Sequence, residues 1–140
     1  MRLVMDTDAV VAAMRSPGGA SAALLRVARS GRATLLATAP LCLEYEAVCS
    51  RPEHLRAAGF DPGDVGAFLD AVVDLVEPVE AWFLWRPQLR DPADELVLEA
   101  AVNGQAIAIA TFNGRHFLPA ATRFGVEVLL PRDALWRLRA

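Results

Sequence analysis

The chain has 140 residues, enough for one well-buried domain and too few for two. Hydrophobic residues make up 54% of it, which excludes a disordered chain, and charge or proline interrupts each apolar run well before ~20 residues, which excludes a membrane-spanning helix. A net charge of −3 argues against a passive nucleic-acid coat, yet all fourteen basic residues are arginine, the side chain best shaped for bidentate contact with phosphate.

Leu3, Val4 and Met5 read as a short buried strand, with the carboxylate of Asp6 at its carboxyl end. Thr7 or Asp8 is expected to cap the helix that follows, whose apolar side begins with Val10 and Val11. Ser16-Pro17-Gly18-Gly19 breaks the chain, residues 20–30 form a second helix ended by Gly31, and ATLLAT at 33–38 forms a second strand. Pro40 suits the first turn of a helix running to about Ser50, with Leu41, Tyr45 and Val48 inward. Glu44 falls on the flank of that stripe and Glu46 points away, so Glu44 sits near the core, as a functional acid or as half of a salt bridge at the helix edge.

Asp61-Pro62-Gly63-Asp64 starts the next helix, with Val65, Phe68, Leu69, Val72 and Val73 inward. Residues 40–76 thus form a helical hairpin inserted between strands, with Asp61, Asp64, Asp70 and Asp74 on its solvated face. Residues 76–84 read ambiguously; the cluster Trp82, Phe83 and Trp85 there is expected to pack in the core more than to form a binding surface, with an exposed part open to a partner protein. Asp91 caps a further helix with Pro92 at its first position. Its inward stripe is Val97, Leu98, Ala101 and Val102; Asp94 lies in line with that stripe at the amino end, whereas Glu95 and Glu99 project outward. AIAIAT at 106–111 is the most strand-like run, followed by Asn113-Gly114. A last strand spans 126–130 and a closing helix 131–138, with Leu135 and Leu138 inward. Strands alternating with helices through short turns imply an α/β fold with a mostly parallel sheet covered on both faces.

A carboxylate at the end of a buried strand needs a partner. Asp6, Glu44 and Asp94, with Asp8 or Asp91 as additions, are each expected beside the same sheet edge. Hard oxygen donors in an open site suit Mg²⁺ or Mn²⁺, which retain waters and accept phosphate oxygens. Phosphodiester hydrolysis is one chemistry such a site supports.

The order and spacing of LVMDTDAVVAAM, APLCLEYEAVCSRPEH, RDPADELVLEAAVNGQAIAIATFNGRHFLPA and VEVLLPRDAL resemble the PIN-domain nucleases, in the branch that includes the VapC-like toxins of bacterial toxin–antitoxin pairs. The resemblance runs nearly end to end. It implies a single three-layer α/β/α domain over residues 1–140 and a ribonuclease dependent on Mg²⁺ or Mn²⁺. Asp6, Glu44 and Asp94 are then the catalytic metal acids, with Asp91 a further ligand. It also implies an RNA substrate, a small VapB-like antitoxin blocking the acidic cleft, and a homodimer. The family often carries a fourth acid after the strand ending at Thr111, where this chain has Asn113; His116 stands where many relatives place another aspartate. Thr111 and Asn113 remain able to orient water or phosphate, and Asp8, often asparagine in relatives, is assigned chiefly to the helix cap.

Two rivals remain. Asp6-Thr7-Asp8-Ala9-Val10 fits the nucleophile pattern of haloacid-dehalogenase-type phosphotransferases, but that class, like phosphorelay receivers, usually needs a lysine, and this chain has none. A catalytically silent PIN-fold binding module is the other, motivated by the absent fourth acid. Arg115 and Arg123 are candidate holders of RNA phosphate, while His54 and His116 read as loop histidines not needed by the chemistry. Cys42 and Cys49 lie seven residues apart on one predicted helix, ~10 Å between Cα atoms, too far for a disulfide. With no signal-peptide cleavage pattern after Met1, a cytoplasmic location is expected.

Overall fold

The computed structural model describes residues 1–82 and 87–139. Five strands, β1 (Arg2–Met5), β2 (Thr34–Ala37), β3 (Val76–Pro78), β4 (Ala108–Ala110) and β5 (Glu127–Leu129), form one sheet in the order β3-β2-β1-β4-β5. Every pairing is parallel, with Leu3 opposite Leu35 on one side and Ala108 on the other. The three central strands, β1, β2 and β4, are largely apolar because both of their faces are covered, so alternation has no solvent face to serve, whereas the edge strands β3 and β5 carry the exposed Glu77 and Glu127.

Among the described residues eight α-helices supply the cover: α1 (Thr7–Arg15), α2 (Ala20–Arg29), α3 (Ala39–Cys49), α4 (Pro52–Ala58), α5 (Pro62–Leu75), α6 (Pro92–Asn103), α7 (Ala120–Arg123) and α8 (Pro131–Arg139). They complete a three-layer α/β/α architecture. Leu3, Val4, Leu36, Leu41, Val97 and Ile109 lie at the centre of the core, each no more than 1% exposed. Helix α6 packs against β1, β2, β4 and α3. At its end Gly104 is required by close approach: a Cβ there would stand 2.8 Å from the Ala100 carbonyl oxygen. The Arg2 guanidinium clamps the same corner, donating to the Gly104 carbonyl and to Glu77.

Several sequence expectations are corrected. The helical insertion between β2 and β3 contains a third helix, α4, started by Arg51-Pro52 and closed by Gly59 in the left-handed region (φ 70°). Val73 is 52% exposed, because α5 buries only the line through Val65 and Val72. Trp82 is exposed rather than core; Phe83 and Trp85 lie outside the described residues. The regular part of the fourth strand is three residues long, and Ile107 is half exposed even though its N–H pairs with the Arg2 carbonyl.

Glu95 and Glu99 do not project outward: they are 4% and 5% exposed. Glu95 is buried because its Oε1 accepts the backbone N–H groups of Gln88 and Leu89, the latter at 2.6 Å, which ties the approach segment to α6. A helical wheel cannot anticipate an acid drawn inward by backbone donors from outside the helix. Among the described residues no helix is long and apolar enough to cross a membrane.

Candidate active site

The strand order reverses at β1. From there the chain winds outward through β2 to β3, then returns to β4 on the other side of β1 and continues to β5. In open α/β sheets the crevice beyond the carboxyl ends at such a reversal is where ligands bind. Asp6 follows β1 and Thr111 follows β4, and the two side chains meet there. The Thr111 hydroxyl donates to Asp6 Oδ2 at 2.6 Å, while the Asp6 backbone N–H donates to the Ala110 carbonyl at 2.9 Å. Asp6 is 6% exposed and Thr111 1%.

The cap of α1 is Asp6 itself, not Thr7 or Asp8. Its backbone is extended (φ −62°, ψ 154°) and its Oδ1 accepts the Thr7 N–H at 2.7 Å. Asp8 is therefore released for another role. Its Oδ2 accepts the Phe112 N–H at 3.1 Å and the Asn113 side-chain amide at 2.9 Å, and its Oδ1 is buried without a partner. Burial first, and then the Asp6 carboxylate, push Asp8 up to about 7.

Glu44 reaches the site from α3, whose position is fixed by the next residue. Tyr45 is buried, and its hydroxyl donates to the Met5 carbonyl at 2.5 Å, locking α3 against the end of β1 beside Asp6. Glu44 is half-buried and Glu46 exposed, as the helical face requires. From α6, Asp91 caps the helix, accepting the Ala93 N–H at 2.9 Å. Asp94, one turn on, stands 3.6 Å from His116 Nδ1. Burial first, then Asp6 and Asp91, push Asp94 up to about 6 against the opposing pull of His116.

Asp6, Asp8, Glu44, Asp91 and Asp94 all line one open cleft of about 840 Å³, together with Asn113 and His116. Thr111 stands behind it, bonded to Asp6 and accepting the Asn113 N–H at 3.0 Å. Among the described residues, however, no three Asp, Glu, His or Cys side chains stand close enough to form a ready coordination sphere. The acids share a cleft without meeting at a point, because Asp6 and Asp8 direct oxygens to donors on the backbone and on β4's exit. The donor set still fits a small hard cation. It is made of carboxylate oxygens, one buried Asp8 oxygen lacks a partner, and among the described residues no ion pair neutralises Asp6 or Asp8.

The sequence reading missed the cationic side of the cleft. Arg15, Arg51 and His54 line it. His54 lies on α4, not in a loop, with Nδ1 3.5 Å from Arg15 Nη1. A signal was present for one of them: Asp8, Ala12 and Arg15 repeat at i, i+4, i+7 on α1, which puts the arginine two turns further along the face of the acid, whereas Arg51 follows the end of α3 and comes to the cleft as the extended cap of α4. Of the two arginines expected to hold phosphate, one stands beside the acids and the other does not. Arg115 lines an adjoining pocket with Asp91, Asp94 and His116, and Arg123, outside both pockets, donates to the Gln88 side chain at 3.1 Å.

The PIN-domain family matches this chain over residues 2–115, and the chain belongs to that family. PIN domains are in general nucleases that use divalent metal ions. No curated protein and no solved structure matched the chain.

Proposed function

We propose that this protein is an endoribonuclease dependent on Mg²⁺ or Mn²⁺ and acts as the VapC-like toxin of a type II toxin–antitoxin pair. The observation that carries the nuclease reading is the convergence of five carboxylates, from α1 and its cap, α3 and α6 and its cap, on one cleft at the strand-order reversal. Asp6, Asp8, Glu44 and Asp94 would hold the cation, with Asp91 at the edge. When bound, the cation neutralises the attacked phosphate and lowers the pKa of a water.

The chain's own residues do the rest. Thr111 fixes the Asp6 carboxylate, Asn113 and the Phe112 N–H fix that of Asp8, and Tyr45 fixes the helix that carries Glu44. Arg15 and Arg51 flank the acids where phosphates on either side of the cut bond would lie. The toxin role rests on the resemblance of the sequence motifs to that branch. A small antitoxin entering the same cleft, a homodimer and a cytoplasmic location belong to this reading.

The test is RNA cleavage by the purified protein in Mn²⁺, compared with Asp6→Asn. Loss of cleavage in the variant supports the reading. Cleavage that persists in Asp6→Asn removes the site, and a folded wild-type protein that binds RNA without cutting it is the silent module.

A further inference from the structure

A second pocket, of about 420 Å³, opens beside the acidic cleft and shares Ala12 and Ser16 with it. Its wall includes the start of α2 at Gly19, Ala20 and Ser21, with Phe112 and Arg132. Helix α2 has ten residues, a glycine cap that makes no side-chain hydrogen bond, and no acid in its first turn. Its first N–H groups and the positive end of its dipole are thus left without a side-chain partner from the chain. Such an end attracts anions.

Ser21 provides the independent observation. It is 3% exposed, lines the pocket, and its hydroxyl has no hydrogen-bond partner. A buried hydroxyl without a partner is costly, and here it sits in the same first turn as the free N–H groups. Arg132 is exposed and holds only a loose 3.9 Å contact with its neighbour Asp133, which leaves most of its guanidinium donors free. Phe112 is 50% exposed, and its backbone N–H is anchored to Asp8. An anion site and an exposed aromatic ring side by side match the two parts of a nucleotide.

The geometry points to this pocket as a nucleotide subsite of a single RNA strand. One phosphate sits at the start of α2 against the Ser21 hydroxyl and Arg132, and the attached base stacks on Phe112. The shared wall at Ala12 and Ser16 makes it the neighbour of the acidic cleft along the strand. The identity of the strand rests on the ribonuclease reading; the anion site itself rests only on α2, Ser21 and Arg132.

The test is a titration of the isotope-labelled full chain with adenosine 5′-monophosphate, in chelator, followed by the amide resonances of Gly19, Ala20 and Ser21. Saturable shifts at these amides are expected. Gly19→Asp supplies a capping carboxylate over the same N–H groups and abolishes the shifts. Its Cβ would stand 3.1 Å from the Ser16 hydroxyl and 3.3 Å from the Ser16 carbonyl oxygen, so a thermal melt beside it, together with the Ser21→Ala variant, separates loss of the site from loss of the fold. Ser21→Ala removes a hydroxyl that bonds nothing in the free protein; it leaves the fold intact and weakens binding. Phe112→Ala weakens the nucleotide roughly tenfold and inorganic phosphate not at all.

Absence of shifts at the start of α2, or unchanged binding in Gly19→Asp, overturns the proposal. Cleavage assays separate the two readings. Binding at α2 by a wild-type protein that cuts no RNA keeps the subsite and removes the nuclease. Wild-type KM in both Gly19→Asp and Phe112→Ala keeps the nuclease and removes the subsite.

Discussion

The side-chain amide of Asn113 donates to Asp8 Oδ2 at 2.9 Å, across the crevice between the exits of β4 and β1. This neutral donor quiets one of the crowded carboxylates. Asn113→Asp replaces this bond with two carboxylates at contact distance. Without divalent cation the variant is expected to lose about 1–3 kcal/mol of stability at pH 8. Saturating Mn²⁺ should recover that loss and more, because the ion binds the folded state only. Thermal melts with and without Mn²⁺ check it; equal melting of both proteins in chelator would contradict the repulsion.

The pH dependence follows from Asp8 at about 7 and Asp94 at about 6, against an ordinary value of 3.8. Both folded-state values lie above the unfolded one, so between them the folded state holds more protons. The stability these groups contribute is therefore fullest below pH 3.8 and is lost as the pH rises through 6 and then 7. Metal binding has the opposite sign, since the ion displaces those protons. Urea unfolding in chelator should show this term falling across that window. Calorimetry should show Mn²⁺ affinity rising across it, with proton release.

Glu44 and Glu46 are two residues apart on α3, one half-buried in the cleft wall and the other exposed. Glu44→Gln is expected to abolish RNA cleavage, and Glu46→Gln to leave it unchanged. Parallel kinetics on the two variants decide this. Equal effects would mean that α3 does not present Glu44 to the chemistry.

Arg15 sits on the cleft wall two turns beyond Asp8 on α1, and Arg51 sits on it at the cap of α4. If they hold flanking phosphates, Arg15→Ala and Arg51→Ala raise KM for an oligoribonucleotide with little change in kcat. The salt dependence of binding also becomes shallower, by about one unit of slope for each arginine removed. A fall in kcat at constant KM would instead place them at the reacting phosphate.

The family and the main acids were legible in the sequence. The short apolar strands and the Asp91-Pro92 helix start depend on local chemistry, which a sequence carries directly, whereas the grouping of Asp6, Glu44 and Asp94 comes from the resemblance of the motifs that hold them. The same local rules misassigned Asp8, because a cap is chosen by backbone geometry at one residue, and Asp6 took it. They misplaced Glu95 because its partners lie on the segment before the helix.

What only the tertiary structure decided is who faces whom. The sequence determined an α/β chain with carboxylates at strand ends and an arginine as every basic side chain. The fold decided that Thr111 would hold Asp6 and Asn113 would hold Asp8. It also decided that Arg15, Arg51 and His54 would line the cleft with the acids, that Arg115 would meet Asp91 and Asp94 in the adjoining pocket, and that Arg123 would lie outside both. Contacts between residues a hundred positions apart arise from the parallel pairing of β1 with β4, and no local propensity encodes that pairing.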